Sequence, residues 1–218
     1  QFMPSTFLRY AKDIDGDGRR DLWGSIPDAM GSAANFLRQL GWTPGLDWGR
    51  EVRLPPAFDY SLAGRDQMLS EAEWAKLGVT TTAGTLLPPN EQKAALLVPS
   101  GHQGPAFLVT KNFYIIMRWN RSEFYALSVG HLADRIAGAT ALQRTPRADT
   151  EKISREQVRQ LQLDLSALGI DAGEADGVLG SVTRQAISRF QKSTQRIADG
   201  HLDTTLLMAI REAASTVR

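Results

Sequence analysis

Asp13-Ile14-Asp15-Gly16-Asp17-Gly18-Arg19-Arg20-Asp21 sets three carboxylates in alternation at Asp13, Asp15 and Asp17, and Gly16 and Gly18 let the backbone turn sharply between them. This is the front half of an EF-hand-type loop, in which alternating carboxylates and one backbone carbonyl surround a hard cation. Arg19 stands at the carbonyl position and offers only its backbone oxygen. Gly24 stands where the loop is normally closed by a bidentate Glu, so the motif matches at the front and fails at the back. One turn later, Ser25-Ile26-Pro27-Asp28 reads as a helix start, with Ser25 as N-cap and Pro27 in the first turn. Asp28 is expected to swing into the loop as its closing ligand; the competing reading is a capping box beside a solvated turn. Three carboxylates so close together repel one another without a cation, which favours metal. A set of hard oxygens favours calcium over zinc. The expected ligands are Asp13, Asp15, Asp17, Arg19 and Asp28, around a structural Ca2+.

Upstream, Pro4 to Tyr10 reads as a short helix leading into the loop. Downstream, Ile26, Met30, Ala33, Leu37 and Leu40 recur at helical spacing and predict a helix with that stripe buried, stopped by Gly41. From Trp42 to about Thr110, Pro and Gly recur and the apolar runs are short. Val52–Leu54, Ala94–Val98 and Ala106–Val109 predict strands of a small inserted sheet. Ser70 and Glu73 predict a capping-box helix ending at Leu77 before Gly78. Asn112 to Trp119 is aromatic-rich and helical. Asn120 and Glu123 have capping-box spacing and open a long helix, with Tyr125, Val129, Leu132, Ile136 and Ala139 on one face.

Residues 144–153 are polar, contain Pro146 and read as a linker. Ser154 and Gln157 then open a helix with Val158, Leu161, Leu165 and Leu168 buried. Ala175-Asp176-Gly177-Val178-Leu179 and Ala198-Asp199-Gly200-His201-Leu202 are near-copies, each an Asp-Gly turn followed by a helix. Val182, Ala186 and Phe190 mark the inner face of the second helix, and Leu206, Leu207 and Ile210 that of the third. Together they predict a small three-helix bundle over residues 154–218.

The chain has 218 residues, a formal net charge of +1 and no Cys. The charge balance argues against nucleic acid as a partner. Disulfides, thiolate metal sites and a Cys nucleophile are excluded. No apolar run reaches transmembrane length, and a monomer is expected. His102, His131 and His201 are scattered and read as surface residues. The opening Gln1-Phe2-Met3-Pro4-Ser5, without an initiating Met, reads as the interior of a longer protein.

Two stretches converge on one resemblance. Gln1–Ser5, the acidic loop to Trp23, Asp28-Ala29-Met30-Gly31-Ser32 with Ala34-Asn35, Asn112-Phe113-Tyr114, Arg118-Trp119-Asn120 and Tyr125 resemble the lytic murein transglycosylase B family over residues 1–143. Separately, Asp176-Gly177 with Gly180 and Thr183 resembles the three-helix peptidoglycan-binding module over residues 154–212. The fold this implies is α+β, mainly α: a lysozyme-like transglycosylase portion with a small inserted sheet, followed by a three-helix bundle.

The implied activity is cleavage of the MurNAc–GlcNAc β-1,4 bond to leave a 1,6-anhydro-MurNAc end, in the periplasm. Outer-membrane association through preceding sequence is compatible with it. In such a family one Glu serves as acid and then base, kept protonated by an apolar pocket. The sugar's own hydroxyl attacks, with the high effective molarity of an intramolecular group, so the second carboxylate of ordinary glycosidases is not needed. The resemblance places that Glu upstream of Gln1, and no Glu of this chain matches its motif, so no catalytic residue is assigned. The chain by itself is expected to be inactive. Gln1, Met3, Trp119, Asn120 and Tyr125 carry over as substrate-binding residues, facing glycan strands and stem peptides. The rival reading is a non-catalytic peptidoglycan-binding protein on the same scaffold.

Overall fold

The computed structural model describes residues 2–146 and 152–217. The chain forms two compact units, 1–50 with 109–141, and 51–108 with 142–218. This division cuts across the boundary expected at residue 143, because the inserted sheet and the C-terminal bundle share one unit. Much of the expected linker, residues 147–151, lies outside the described residues.

In the first unit, α1 (Pro4–Tyr10) and α2 (Ile26–Gln39) flank the acidic loop. Ser25 caps α2 by accepting the Asp28 N–H. The buried face of α2 is not the expected apolar stripe. Ile26 is 74% and Met30 69% exposed, whereas Asp28, Ser32, Asn35 and Phe36 are buried. The reason is what the helix covers. Residues 11–25 contain no helix or strand, so the backbone groups that their own carboxylates do not reach need partners from α2. The polar row supplies them: Ser32 Oγ accepts the Lys12 N–H (2.8 Å), Asn35 Nδ2 donates to the Tyr10 carbonyl (2.9 Å), and Asp28 takes loop N–H groups.

The second unit carries a five-stranded sheet formed by β1 (Gly49–Arg53), β2 (Met68–Ser70), β3 (Thr80–Thr81), β4 (Lys93–Leu97) and β5 (Ala106–Val109), in the order β2-β4-β5-β1-β3. The chain passes between the units at β1, at the end of β5 and again after Ala141. β1 and β3 pair antiparallel with Val52 opposite Thr81, and β2 and β4 with Leu69 opposite Ala94. The two short strands, β2 and β3, are not marked by the apolar runs at Val52–Leu54, Ala94–Val98 and Ala106–Val109; β1 itself begins earlier than its run and holds only Val52 as a buried apolar residue. Between them α3 (Glu71–Lys76) begins with the expected Ser70–Glu73 capping box. Trp74, fully buried in the sheet's core, donates its indole N–H to the Ala94 carbonyl at 2.9 Å.

Back in the first unit, α4 (Lys111–Met117) is followed by α5 (Glu123–Ile136). The expected N-cap, Asn120, lies outside α5; Ser122 caps it instead by accepting the Tyr125 N–H. The predicted apolar face of α5 is again outward, with Leu132 60% and Ile136 80% exposed. The buried residues are Ala126, Leu127 and Gly130. A Cβ at Gly130 would overlap the Trp48 ring, and Asp134 accepts the Trp48 indole N–H at 2.8 Å. Small side chains at 126 and 130 thus let the helix lie close to a large aromatic.

The bundle consists of α6 (Arg155–Ala167), α7 (Ser181–Ser193) and α8 (Thr204–Ser215) around Leu161, Leu165, Ala186, Ile187, Phe190, Leu206 and Ile210. Val182 is 47% exposed, and Thr183 takes the inward place. The sequence repeat corresponds to a repeated hydrogen-bond clamp. Gln162 Nε2 donates to Asp176 Oδ1 while its Oε1 accepts the Gly177 N–H. Gln191 does the same for Asp199 and Gly200.

The bundle is fastened to the sheet region of its own unit. Asp199 Oδ2 accepts from the His102 N–H (2.8 Å) and faces its Nδ1 (2.6 Å). Arg144 reaches the His102 and Gly104 carbonyls. His102, read from sequence as a surface residue, is thus a tertiary tie.

Candidate functional site

The acidic loop folds back on itself through its own carboxylates. Asp13 Oδ1 and Oδ2 accept the Gly16 and Gly18 N–H groups at 2.7 and 2.9 Å, and both glycines are left-handed, with φ of 79° and 85°. Asp28 is fully buried. Its Oδ1 accepts the Ile14 N–H at 2.6 Å and its Oδ2 the Asp21 N–H at 2.8 Å. Ser25 Oγ donates to Asp15 Oδ2 at 2.5 Å. The Ile14 amide is the main cause of a lowered Asp28 pKa, and desolvation opposes it without reversing it. Asp21 is also held low, by the Gly24 and Trp23 amides. Both carboxyls are therefore anions at neutral pH.

Oxygens of Asp13, Asp15 and Asp28 lie within 4.8 Å of one another. Ligands spread around an ion at calcium–oxygen distances of about 2.3–2.6 Å have such separations. Asp28 Oδ1 also takes a longer contact from the Asp15 N–H, at 3.4 Å, but Oδ2 and both Asp13 oxygens each accept one N–H, and a second lone pair on each is left for a cation. The donor set and its spacing therefore fit a hard divalent ion. Asp17 is not in this cluster; its Oδ1 accepts the Arg19 N–H at 2.8 Å. The Arg19 backbone is thereby tied to Asp17.

Beside the loop lies an aromatic cluster. Phe36 meets Tyr10 and Trp119 edge to face, with ring centres 5.0 and 5.1 Å apart, and Phe2 meets Trp119 at 5.4 Å. Trp119 is half-buried, held by Phe2 and Phe36 with part of its indole left open. Tyr125 is likewise half-buried, and Asn120 is exposed. Asn120 Oδ1 accepts the Ser122 N–H, which leaves its Nδ2 amide available as a donor. Met3 is 61% exposed at the start of α1. Gln1 lies outside the described residues.

Other polar residues have structural duties that their sequence neighbourhoods do not announce. Asn112, fully buried, pins the 43–46 turn: it accepts the Thr43 N–H and donates to the Thr43 and Leu46 carbonyls. Glu71 is the buried Glu among the described residues, and it accepts from Asn90 Nδ2 at 3.1 Å. It fastens a loop in the sheet unit. Glu123 opens α5, as its spacing from Asn120 suggested, although Ser122 is the cap.

Residues 1–134 match the family model described as transglycosylase SLT domain. The chain belongs to that transglycosylase family. Residues 154–210 match a second model, that of a peptidoglycan-binding domain. This transglycosylase chain is 33% identical over 150 residues to membrane-bound lytic murein transglycosylase B of Escherichia coli (strain K12), covering 63% of this chain and 37% of that protein. It is similar to SltB3 from Pseudomonas aeruginosa, solved in complex with NAG-anhNAM-pentapeptide: TM-score 0.92 and 45% identity, over 97% of this chain and 57% of that one. The E. coli lytic transglycosylase SLT35, solved in complex with calcium, matches 63% of this chain and 42% of its own, at TM-score 0.50 and 34% identity. The chain spans little more than half the length of SltB3 and under half of the other two relatives. The lysozyme-like, mainly helical α+β fold follows from these matches.

Proposed function

We propose that this chain is the glycan-holding and wall-anchoring portion of a peptidoglycan lytic transglycosylase. The reaction is cleavage of the MurNAc–GlcNAc β-1,4 bond with formation of a 1,6-anhydro-MurNAc end. The observation that carries this is the likeness to SltB3 across 97% of the chain, since that protein is seen with NAG-anhNAM-pentapeptide. The compartment is the cell envelope, on the periplasmic side, where murein lies. Among the described residues no helix is long and apolar enough to cross a membrane.

In this reading Trp119 and Tyr125 offer aromatic faces to sugar rings. Phe2 and Phe36 hold the Trp119 indole, so little side-chain freedom is lost on binding. Asn120 uses the Nδ2 donor left by its Ser122 contact for an acetamido carbonyl. Met3, exposed at the start of α1, belongs to the same set; Gln1 joins it by the family resemblance alone and lies outside the described residues. The general acid is a Glu that the family resemblance places upstream of Gln1; buried Glu71 is committed to Asn90. Asp13, Asp15 and Asp28 would hold calcium, with Asp17 and the Arg19 carbonyl completing its shell. Bound there, the ion would supply positive charge that ties the loop to α2. The module at 154–218 binds the polymer.

The 218-residue chain is expected to pellet with insoluble murein and to release no anhydro-muropeptide by itself. Failure to pellet would refute the wall-binding assignment. Release of anhydro-muropeptide would refute placement of the acid outside the chain.

A further inference from the structure

Within the second unit, the 3₁₀ turn Gly101–Gln103, the second Asp-Gly turn and the start of α8 enclose a cleft of about 320 Å³. Its floor is already committed. Asp199, whose side chain is 3% exposed, accepts from Gln191 and the His201 N–H at Oδ1, and from His102 at Oδ2. Burial alone would raise the Asp199 pKa; these hydrogen bonds outweigh it and hold the carboxyl low. The fit is close: a Cβ on Gly101 would lie 2.7 Å from both Asp199 Oδ2 and His201 Cβ.

The walls, by contrast, carry unspent donors. Ser100 is 7% exposed and lines the cleft, and its hydroxyl has no hydrogen-bond partner among the described residues. Arg196 has no ion pair among the described residues. It follows Gln195, a non-glycine residue with φ of 57°, where the equivalent position after α6 is Gly169. A left-handed backbone is costly there, and it brings the chain round to place Arg196 on the cleft. At the start of α8, Asp203 Oδ1 takes the Leu206 N–H at 2.8 Å. The N–H groups of Thr204 and Thr205 then have no intrahelical acceptor, and Thr205 lines the cleft. Asp203 also lines the cleft, and its second oxygen is a further acceptor there. Ile197, 50% exposed, adds an apolar contact.

One guanidinium, two hydroxyls and helix-end N–H groups ask for an anion, while the neighbouring acceptor asks for an N–H. We propose that this cleft binds the C-terminal residue of a peptide. Its carboxylate lies against Arg196, the hydroxyls of Ser100 and Thr205, and the first turn of α8; its own amide N–H goes to Asp203. The assignment rests on the wall-binding reading for its source: a stem peptide ending in a free carboxylate.

The full chain, titrated calorimetrically with an N-acetylated dipeptide of D-alanine, is expected to bind it at one site. The C-terminal amide of the same dipeptide should bind about tenfold more weakly or worse, the scale of a lost charge-assisted hydrogen bond. Arg196→Ala should lose as much with an unchanged melting temperature, and Arg196→Lys should keep part. No binding of the free acid, equal binding of acid and amide, or an Arg196→Ala chain that binds like wild type would each overturn the site. So would inorganic phosphate that competes as tightly as the dipeptide. Murein pelleting of the same wild-type sample separates the two ideas. Pelleting with a failed titration removes the cleft alone, and failure to pellet removes the wall-binding reading.

Discussion

Gly130 and Asp28 show how single atoms set the first unit. A Cβ at Gly130 falls within the Trp48 ring, so Gly130→Ala must push α5 or the indole aside. Overpacking of this kind costs about 1–3 kcal/mol, to be read as a lowered urea midpoint with altered Trp48 fluorescence. Asp28 accepts amides at both oxygens, and Asn offers only one acceptor oxygen. Asp28→Asn therefore strands a loop N–H and removes a charge from the cluster. The expected result is a lower melting temperature and loss of any shift produced by calcium. If calcium still raises the melting temperature of Asp28→Asn as it does wild type, Asp28 is not a ligand.

At the scale of elements, the helix caps are the features most open to test. Glu73 closes the α3 capping box, and its pKa falls from an ordinary 4.5 to about 2, first through the Ser70 N–H, then the Ser70 hydroxyl and Lys93. A carboxyl lowered on folding contributes stability that is whole above its unfolded value and disappears as pH falls through its folded one. The wild-type advantage over Glu73→Gln should therefore be full at pH 7 and shrink from about pH 4.5 toward 2. An advantage independent of pH in urea unfolding would contradict the cap geometry. α2 and α5 teach a second point. In each, large apolar side chains stand outward, Ile26 and Met30 on α2, Leu132 and Ile136 on α5, because the inner face answers to a particular neighbour: loop backbone for α2, an indole for α5.

For the whole molecule, the tie at His102 and the proposed calcium at the acidic loop carry the consequences. His102→Ala keeps the backbone N–H on buried Asp199 Oδ2 but removes the ring Nδ1 contact; a hydrogen bond to a charged group of about 1.5–3 kcal/mol is lost. The second unit should then unfold at lower denaturant, with early proteolysis between the sheet region and the bundle. A chain that unfolds like wild type would show the tie to be unimportant. A calcium chelator should lower the melting temperature of the wild-type chain, since an ion that binds the folded loop alone stabilises by mass action. An unchanged melting temperature would remove calcium from the folded state.

Local chemistry was enough to read α1, the Ser70–Glu73 cap, the three apolar strands, the bundle core and the repeated Asp-Gly turns, because each is specified by neighbours within a few residues. The acidic turn was legible too, and Asp28 stands against it, accepting the Ile14 and Asp21 N–H groups. Tertiary structure alone decided which face of α2 and α5 is buried, since periodicity reports that a helix has an apolar side but not what lies against it. It also decided that Asp17 turns to Arg19, that Asn120 stands outside the cap, and that His102 joins Asp199 across 97 positions of sequence. Contacts of that separation leave no local pattern: their energy comes from burial and donor pairing that exist only once distant segments have met.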